Sequence, residues 1–129
     1  MLNKNLPDSE LTHSIIGCAM RVHSELRNGF QELIYQRALA KEMKDTGIGF
    51  SKEHNIPIYY KNELMGTRRV DFLVEGRISV ELKALIQIDD IHIAQGLNYL
   101  EAYNIPVGLL INFGSTSLQF HRLLNKKAY

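Results

Sequence analysis

Behind Pro106 the chain runs Val107-Gly108-Leu109-Leu110-Ile111-Asn112, apolar almost without interruption. Six residues bounded by Pro106 and the Gly114-Ser115 turn are too few for a buried helix and read as a strand covered on both faces. A sheet covered on both faces needs other elements packed on it, so the rest of the chain is expected to supply helices.

The pattern elsewhere supplies them. Residues 8–27 read as a helix, capped by Asp8 or Ser9, with Leu11, Ile15, Ala19, Val22 and Leu26 on one face. Asn28-Gly29 breaks it, and 31–46 read as a second helix with Gly47 as its C-cap. Ile56 to Tyr60 is β-branched and aromatic, Lys61-Asn62-Glu63 is a turn, and 65–74 and 78–84 read as strands around Glu75-Gly76-Arg77. Asp89 or Asp90 caps a third helix over 90–103, and Leu118 to Leu123 is a last strand. The expected order is α-α-β-β-β-α-β-β: an α/β (α+β) fold with a mixed central sheet flanked by helices. No repeat or linker divides it, so residues 1–129 are expected to form one domain, a length that can bury a core without disulfides or a structural metal.

The chemistry-bearing residues fall in the central hairpin. Period two puts Ser79, Glu81 and Lys83 on one strand face and Arg69, Asp71 and Leu73 on one face of its partner, opposite Val70, Phe72 and Val74. A three-residue loop at 75–77 makes Val74 oppose Ile78 and Asp71 oppose Glu81. Two carboxylates facing each other across a ladder repel unless something compensates, and a divalent cation would. Hard cations such as Mg²⁺ are held by one or two carboxylates plus water and phosphate. Lys83, on the same face, would orient water or stabilise phosphate charge. The plainer reading is a surface salt bridge between Glu81 and Lys83.

Two further patterns stand out. In Gly29-x-x-Glu32-x-x-Tyr35, Glu32 lies in the first turn of the second helix, where the dipole favours a carboxylate, and Tyr35 shares its face. Gln95 and Tyr99 share a face of the third helix, which follows the Glu81/Lys83 strand. For these, the plain alternative is packing. The five histidines have no metal-ligand spacing, no P-loop, G-x-G-x-x-G or G-x-S-x-G is present, and Cys18 lies within the first helix with no evident activating partner.

Asp71 followed by Glu81-Leu82-Lys83 resembles the D…(D/E)-x-K core of the PD-(D/E)xK nuclease superfamily. Gln95-x-x-x-Tyr99 resembles the Q-x-x-x-Y motif of its RecB-like branch. Val22-His23, Gly29-x-x-Glu32-x-x-Tyr35, Val80 to Ala84 and Gly108 to Phe113, in this order, closely resemble the small prokaryotic GxxExxY proteins, over about residues 10 to 124. The resemblance implies a restriction-endonuclease-like core. It implies Asp71 and Glu81 as ligands of Mg²⁺ or Mn²⁺, Lys83 as the catalytic lysine and Glu32 as an extra acidic catalytic residue. Gln95, Tyr99 and Tyr35 would position the substrate. Val70 stands where the signature's proline would be.

Charge decides how such a protein meets its substrate. With 15 Lys plus Arg against 14 Asp plus Glu, the net charge is +1. That excludes a histone-like, purely electrostatic DNA binder. It does not exclude a nuclease of DNA or RNA, whose acids are offset by metal. Arg68, Arg69, Arg122, Lys126 and Lys127 are candidate phosphate contacts. The alternative is an inert nucleic-acid-binding or protein-interaction module on the same fold. A retaining glycosidase also uses paired carboxylates, but the chain has no Trp to stack on sugar and no role for Lys83. A lone Cys, no apolar run near 20 residues and no apolar leader point to a cytoplasmic protein that does not enter the membrane. A homodimer would let so small a domain grip a duplex, though no residue requires one.

Overall fold

The structure is a computed structural model that describes residues 8–127. Helices α1 (Ser9–Leu26) and α2 (Glu32–Thr46) precede strands β1 (Phe50–Tyr60), β2 (Glu63–Val74) and β3 (Ile78–Lys83). Helix α3 (Asp90–Tyr103) then leads to β4 (Val107–Asn112) and β5 (Gln119–Leu124). The five strands form one sheet in the order β1-β2-β3-β4-β5. Only β3 and β4 run parallel, joined through α3, so the sheet is mixed as expected.

The apolar run at 107–112 is buried at every position. On one face, Val107, Leu109 and Ile111 pack with Phe72, Val74, Ile78, Val80 and Leu82 against Ile15, Ala19 and Val22 of α1 and Leu39 and Met43 of α2. On the other, Tyr99 and Leu100 of α3 pack with Ile56, Val70 and Leu123. Among the described residues, no helix is long and apolar enough to cross a membrane.

Most boundaries follow the sequence signals. Gly47 ends α2 in the left-handed region at φ 83. The Asp89 N–H donates to His92 Nδ1 at 3.0 Å, so a histidine completes the capping box of α3. Three expectations need correction. Asp8 occupies the N-cap of α1, but its carboxylate pairs with Arg77 at 2.7 Å and makes no capping bond. Strand β1 begins at Phe50, six residues before the apolar signal at Ile56, because Ser51 to Asn55 are exposed on an edge strand and are held extended by the ladder to β2.

The third correction concerns the faces of β2. Val70 and Phe72 share a face by period two, yet Val70 packs with the α3 cluster and Phe72 with the α1/α2 cluster. The β1–β2 ladder pairs Lys52 with Phe72 and His54 with Val70 but skips Glu53 and Asp71, and Glu53 has φ 51. A ladder interrupted at one pair, with Glu53 in the left-handed region, departs locally from strict alternation. Asp71 lies at that interruption.

Candidate metal centre

The hairpin register is the expected one, with Val74 opposite Ile78 and Phe72 opposite Val80. The ladder stops there. At the next step, where Asp71 would face Glu81, a side chain takes over: Asp71 Oδ2 accepts the Leu82 N–H at 2.7 Å. Beyond this point β2 follows β1 to the hairpin end, while β3 stays with β4 up to the Lys83–Asn112 pair. The two strands part at the residues that carry the chemistry.

Asp71 is held on both oxygens, since Oδ1 accepts the Gln36 amide N–H at 3.1 Å. Burial pushes its carboxyl pKa up; the bonds from Leu82 and Gln36 and the charge of Lys83 oppose this, and the Glu53 carboxylate adds to it. Burial likewise raises Glu32, in the first turn of α2; Lys83 opposes the rise and Asp71 and Glu81 add to it. Glu32 thus feels the other three residues of the expected site. A shallow depression of about 250 Å³ opens there, lined by Glu32, Leu33, Gln36, Glu53, Arg69 and Asp71.

Glu81 is engaged elsewhere. Its carboxylate Oε1 lies 2.7 Å from the Arg68 guanidinium, and Lys83 is not its partner. Arg68 also donates to the Gln95 backbone carbonyl at 2.7 Å and lies over the Tyr99 ring at 5.2 Å. Tyr99 thus meets the site through Arg68, while Gln95 contributes its backbone oxygen there and not its side chain. The Tyr99 hydroxyl is pushed up to about 12 by burial, with Glu81 adding and Arg68 opposing. Among the described residues, no three or more His, Cys, Asp or Glu side chains stand close enough to hold a metal ion. Asp71 and Glu81 offer oxygen donors of the type a hard cation takes, but both carboxylates already have partners within the chain.

Tyr35 is a correction. It is fully buried, stacked on Phe113 at 4.7 Å, and its hydroxyl donates to the Arg27 carbonyl at 2.5 Å and accepts the Phe30 N–H at 3.2 Å. Helical spacing placed it near Glu32, but it ties down the turn between α1 and α2. Cys18 is buried, and the Arg21 guanidinium donates to its sulfur at 3.3 Å.

Two polar residues escaped the sequence reading. Gln36 is four residues after Glu32, so the helical spacing that reached Tyr35 reaches it too. Asn112, wholly buried, closes the apolar run. Its Oδ1 accepts the Leu85 and Gly114 N–H groups at 2.8 and 3.0 Å, and its Nδ2 donates to the Leu85 carbonyl at 3.0 Å and Gln119 Oε1 at 3.0 Å. It ties the loop after β3 to the loop after β4.

A family model described as the PD-(D/E)XK nuclease superfamily matches residues 9–123. The chain belongs to that superfamily. Among solved structures, this PD-(D/E)XK chain is similar to the crystal structure of SSO0001, at 16% identity and a TM-score of 0.56 over 70% of its own length. It spans about half, 48%, of that protein. The likeness, with the mixed five-stranded sheet, is consistent with a restriction-endonuclease-like fold. No curated protein matches the chain.

Proposed function

We propose that the protein is a Mg²⁺- or Mn²⁺-dependent nuclease that hydrolyses phosphodiester bonds in DNA or RNA, a GxxExxY-type member of the RecB-like branch working in the cytoplasm. The observation that carries this reading is that Lys83, Asp71 and Glu81 all act electrostatically on Glu32 near the point where β2 and β3 part, with the Asp71 and Glu32 carboxyls both raised chiefly by burial. Burial disfavours the charged form of both carboxyls, and a divalent cation bound beside them would offset that. Asp71 and Glu81 would hold the ion, which when bound activates water and polarises a phosphate.

The chain's own groups do the rest. Gln36 fixes the Asp71 carboxylate from α2. Lys83 sets a positive charge against the acids, available to a phosphate oxygen or to the attacking water. Arg68 occupies only Oε1 of Glu81, which leaves Oε2 to a metal, and the guanidinium beside it is a phosphate contact next to the site.

Purified protein given Mg²⁺ or Mn²⁺ and a panel of single- and double-stranded DNA and RNA tests the reading. Cleavage that falls at least about 100-fold in Lys83→Ala and Glu81→Ala supports it. No cleavage, or variants that cut like wild type, overturns it. The Arg68–Glu81 pair also favours a second reading, an inert module whose carboxylate is committed to a structural ion pair. Metal titration separates the two: an enzyme's melting temperature rises with Mn²⁺ and an inert module's does not.

A further inference from the structure

A separate cleft of about 420 Å³ opens between the β1–β2 hairpin and α3. Ile58 and Tyr59 form its β1 wall and Asn98, Tyr99 and Tyr103 its α3 wall, with Arg68 at the junction. Its volume suits a flat ring with a sugar attached. The walls are fixed in advance: the Tyr103 hydroxyl donates to the Pro57 carbonyl, clamping hairpin to helix, and Arg68 is held by Gln95, Tyr99 and Glu81.

Three observations point to what the cleft takes. The first is unspent aromatic surface. Tyr59 and Tyr60 are each 62% exposed, and the ladder register shifts between Ile58 and Tyr59. Such a bulge bends a strand and re-aims its side chains, so Tyr59 is turned to the cleft wall. The second is unsatisfied polarity. Tyr99 is 1% exposed, and its hydroxyl has no hydrogen-bond partner among the described residues. Beside it Asn98 is exposed and its amide has no hydrogen-bond partner among the described residues, which leaves it to donate and accept at a ring edge. The third is charge. Among the described residues, Arg68 is the one charged side chain in the cleft lining, and no acid lines it.

We infer that this cleft binds an unpaired nucleobase of the strand whose phosphate is presented to Asp71 and Glu81, with Tyr59 stacking on the base and Asn98 meeting its edge. The inference rests on the nuclease reading and sharpens it: the substrate is a single strand or a frayed end. Every base has a π-face for tyrosine and arginine to stack on. A base within an intact duplex has both faces covered and its pairing edge engaged, so it enters such a cleft only when unpaired. Arg68 belongs to both sites, which places a base in the cleft next to a phosphate at the carboxylates.

The test measures fluorescence anisotropy of the full chain with a labelled oligonucleotide in Ca²⁺, as a single strand, as a blunt duplex, and as a single strand with one abasic position moved along it. The same substrates are then assayed for cleavage in Mn²⁺. The single strand should bind at least about tenfold tighter than the duplex, and the abasic position should cost about tenfold at one place in the register. Tyr59→Ala, a change at an exposed residue, should cost a similar factor on the intact strand, nothing further on the abasic one, and leave the melting temperature unchanged. Asn98→Ala should alter preference among homopolymer strands. Equal affinity for duplex, or indifference to the abasic position or to Tyr59→Ala, overturns the cleft. If duplex is still cleaved in Mn²⁺, the nuclease reading survives that failure. Abasic-sensitive binding without cleavage has the opposite meaning, and no binding or cleavage of any nucleic acid overturns both.

Discussion

The Arg68 guanidinium and the Glu81 carboxylate meet at 2.7 Å, with side chains only 25% and 14% exposed, so the acid proposed to hold a metal is already neutralised from within. An ion at Glu81 competes with Arg68 for the charge of that carboxylate. Arg68→Ala leaves a mostly buried carboxylate without its partner, and a loss of about 2–3 kcal/mol in metal-free stability is expected. The same variant removes the competitor. Thermal melts of wild type and Arg68→Ala with and without Mn²⁺ should show a lower metal-free melting temperature and a larger Mn²⁺-induced rise in the variant. Equal Mn²⁺ shifts would mean that Arg68 does not compete with the ion.

Asp71 predicts a pH dependence of definite sign. Its carboxyl is raised in the folded state, chiefly by burial. Its contribution is therefore fully present below the ordinary carboxyl pKa and is lost as pH rises through the higher folded value. Asp71→Asn cannot ionise. Its amide can keep the Leu82 bond through Oδ1, and a flip of Gln36 would offer the variant's new N–H the Oε1 atom, which has no partner among the described residues. Metal-free chemical denaturation at pH 4 and pH 7 should show Asp71→Asn gaining on wild type as pH rises. In Mn²⁺ the order should reverse at pH 7, with the variant's metal affinity down more than about 100-fold. A difference independent of pH contradicts the raised carboxyl.

The strands and helices were legible because their signals are local: six apolar residues for β4, 3.6-residue spacing for α1, a three-residue loop for the β2–β3 register. The last gave the register from Val74–Ile78 to Phe72–Val80 but not the next pair, because the ladder ends before Asp71 can face Glu81. What happens at those positions was not legible. Strict alternation cannot foresee the ladder gap opposite Glu53 that turns Val70 and Phe72 to different clusters. Nor can it foresee that Arg68, thirteen residues before Glu81 and on the other strand, captures that carboxylate. Both depend on how two strands separate in space. Tyr35 misled for the converse reason: helical spacing gives a direction but not what lies along it, which here is Phe113 and the α1–α2 turn.

Tyr35→Phe discriminates these roles. It keeps the ring stacked on Phe113 and deletes the hydroxyl that bonds Arg27 and Phe30. Two backbone groups lose a partner, at a cost of about 1–3 kcal/mol. Denaturant unfolding should show that loss, while cleavage per folded molecule stays within about twofold of wild type. A large fall in turnover with unchanged stability would return Tyr35 to the substrate.

Asn112 carries the last prediction, because it supports Lys83 from a distance. The two are paired in the β3–β4 ladder, and the Phe113 N–H donates to the Lys83 carbonyl at 2.9 Å. The Asn112 amide then fastens Leu85 to Gly114. The loops touch so closely that a Cβ on Gly114 would lie 2.3 Å from the Leu85 backbone nitrogen and oxygen, so no other residue fits without moving one loop. Asn112→Leu is of similar size but leaves the Leu85 and Gly114 N–H groups and the Leu85 carbonyl without partners, and a loss of about 2–4 kcal/mol is expected. Gly114→Ala should destabilise comparably by steric overlap alone, with the Asn112 amide intact. If the amide network holds the end of β3 in place, hydrogen exchange will be faster at Leu85 and its neighbours in both variants while α1 stays protected. Loss of protection spread evenly over the sheet would make Asn112 an ordinary core residue.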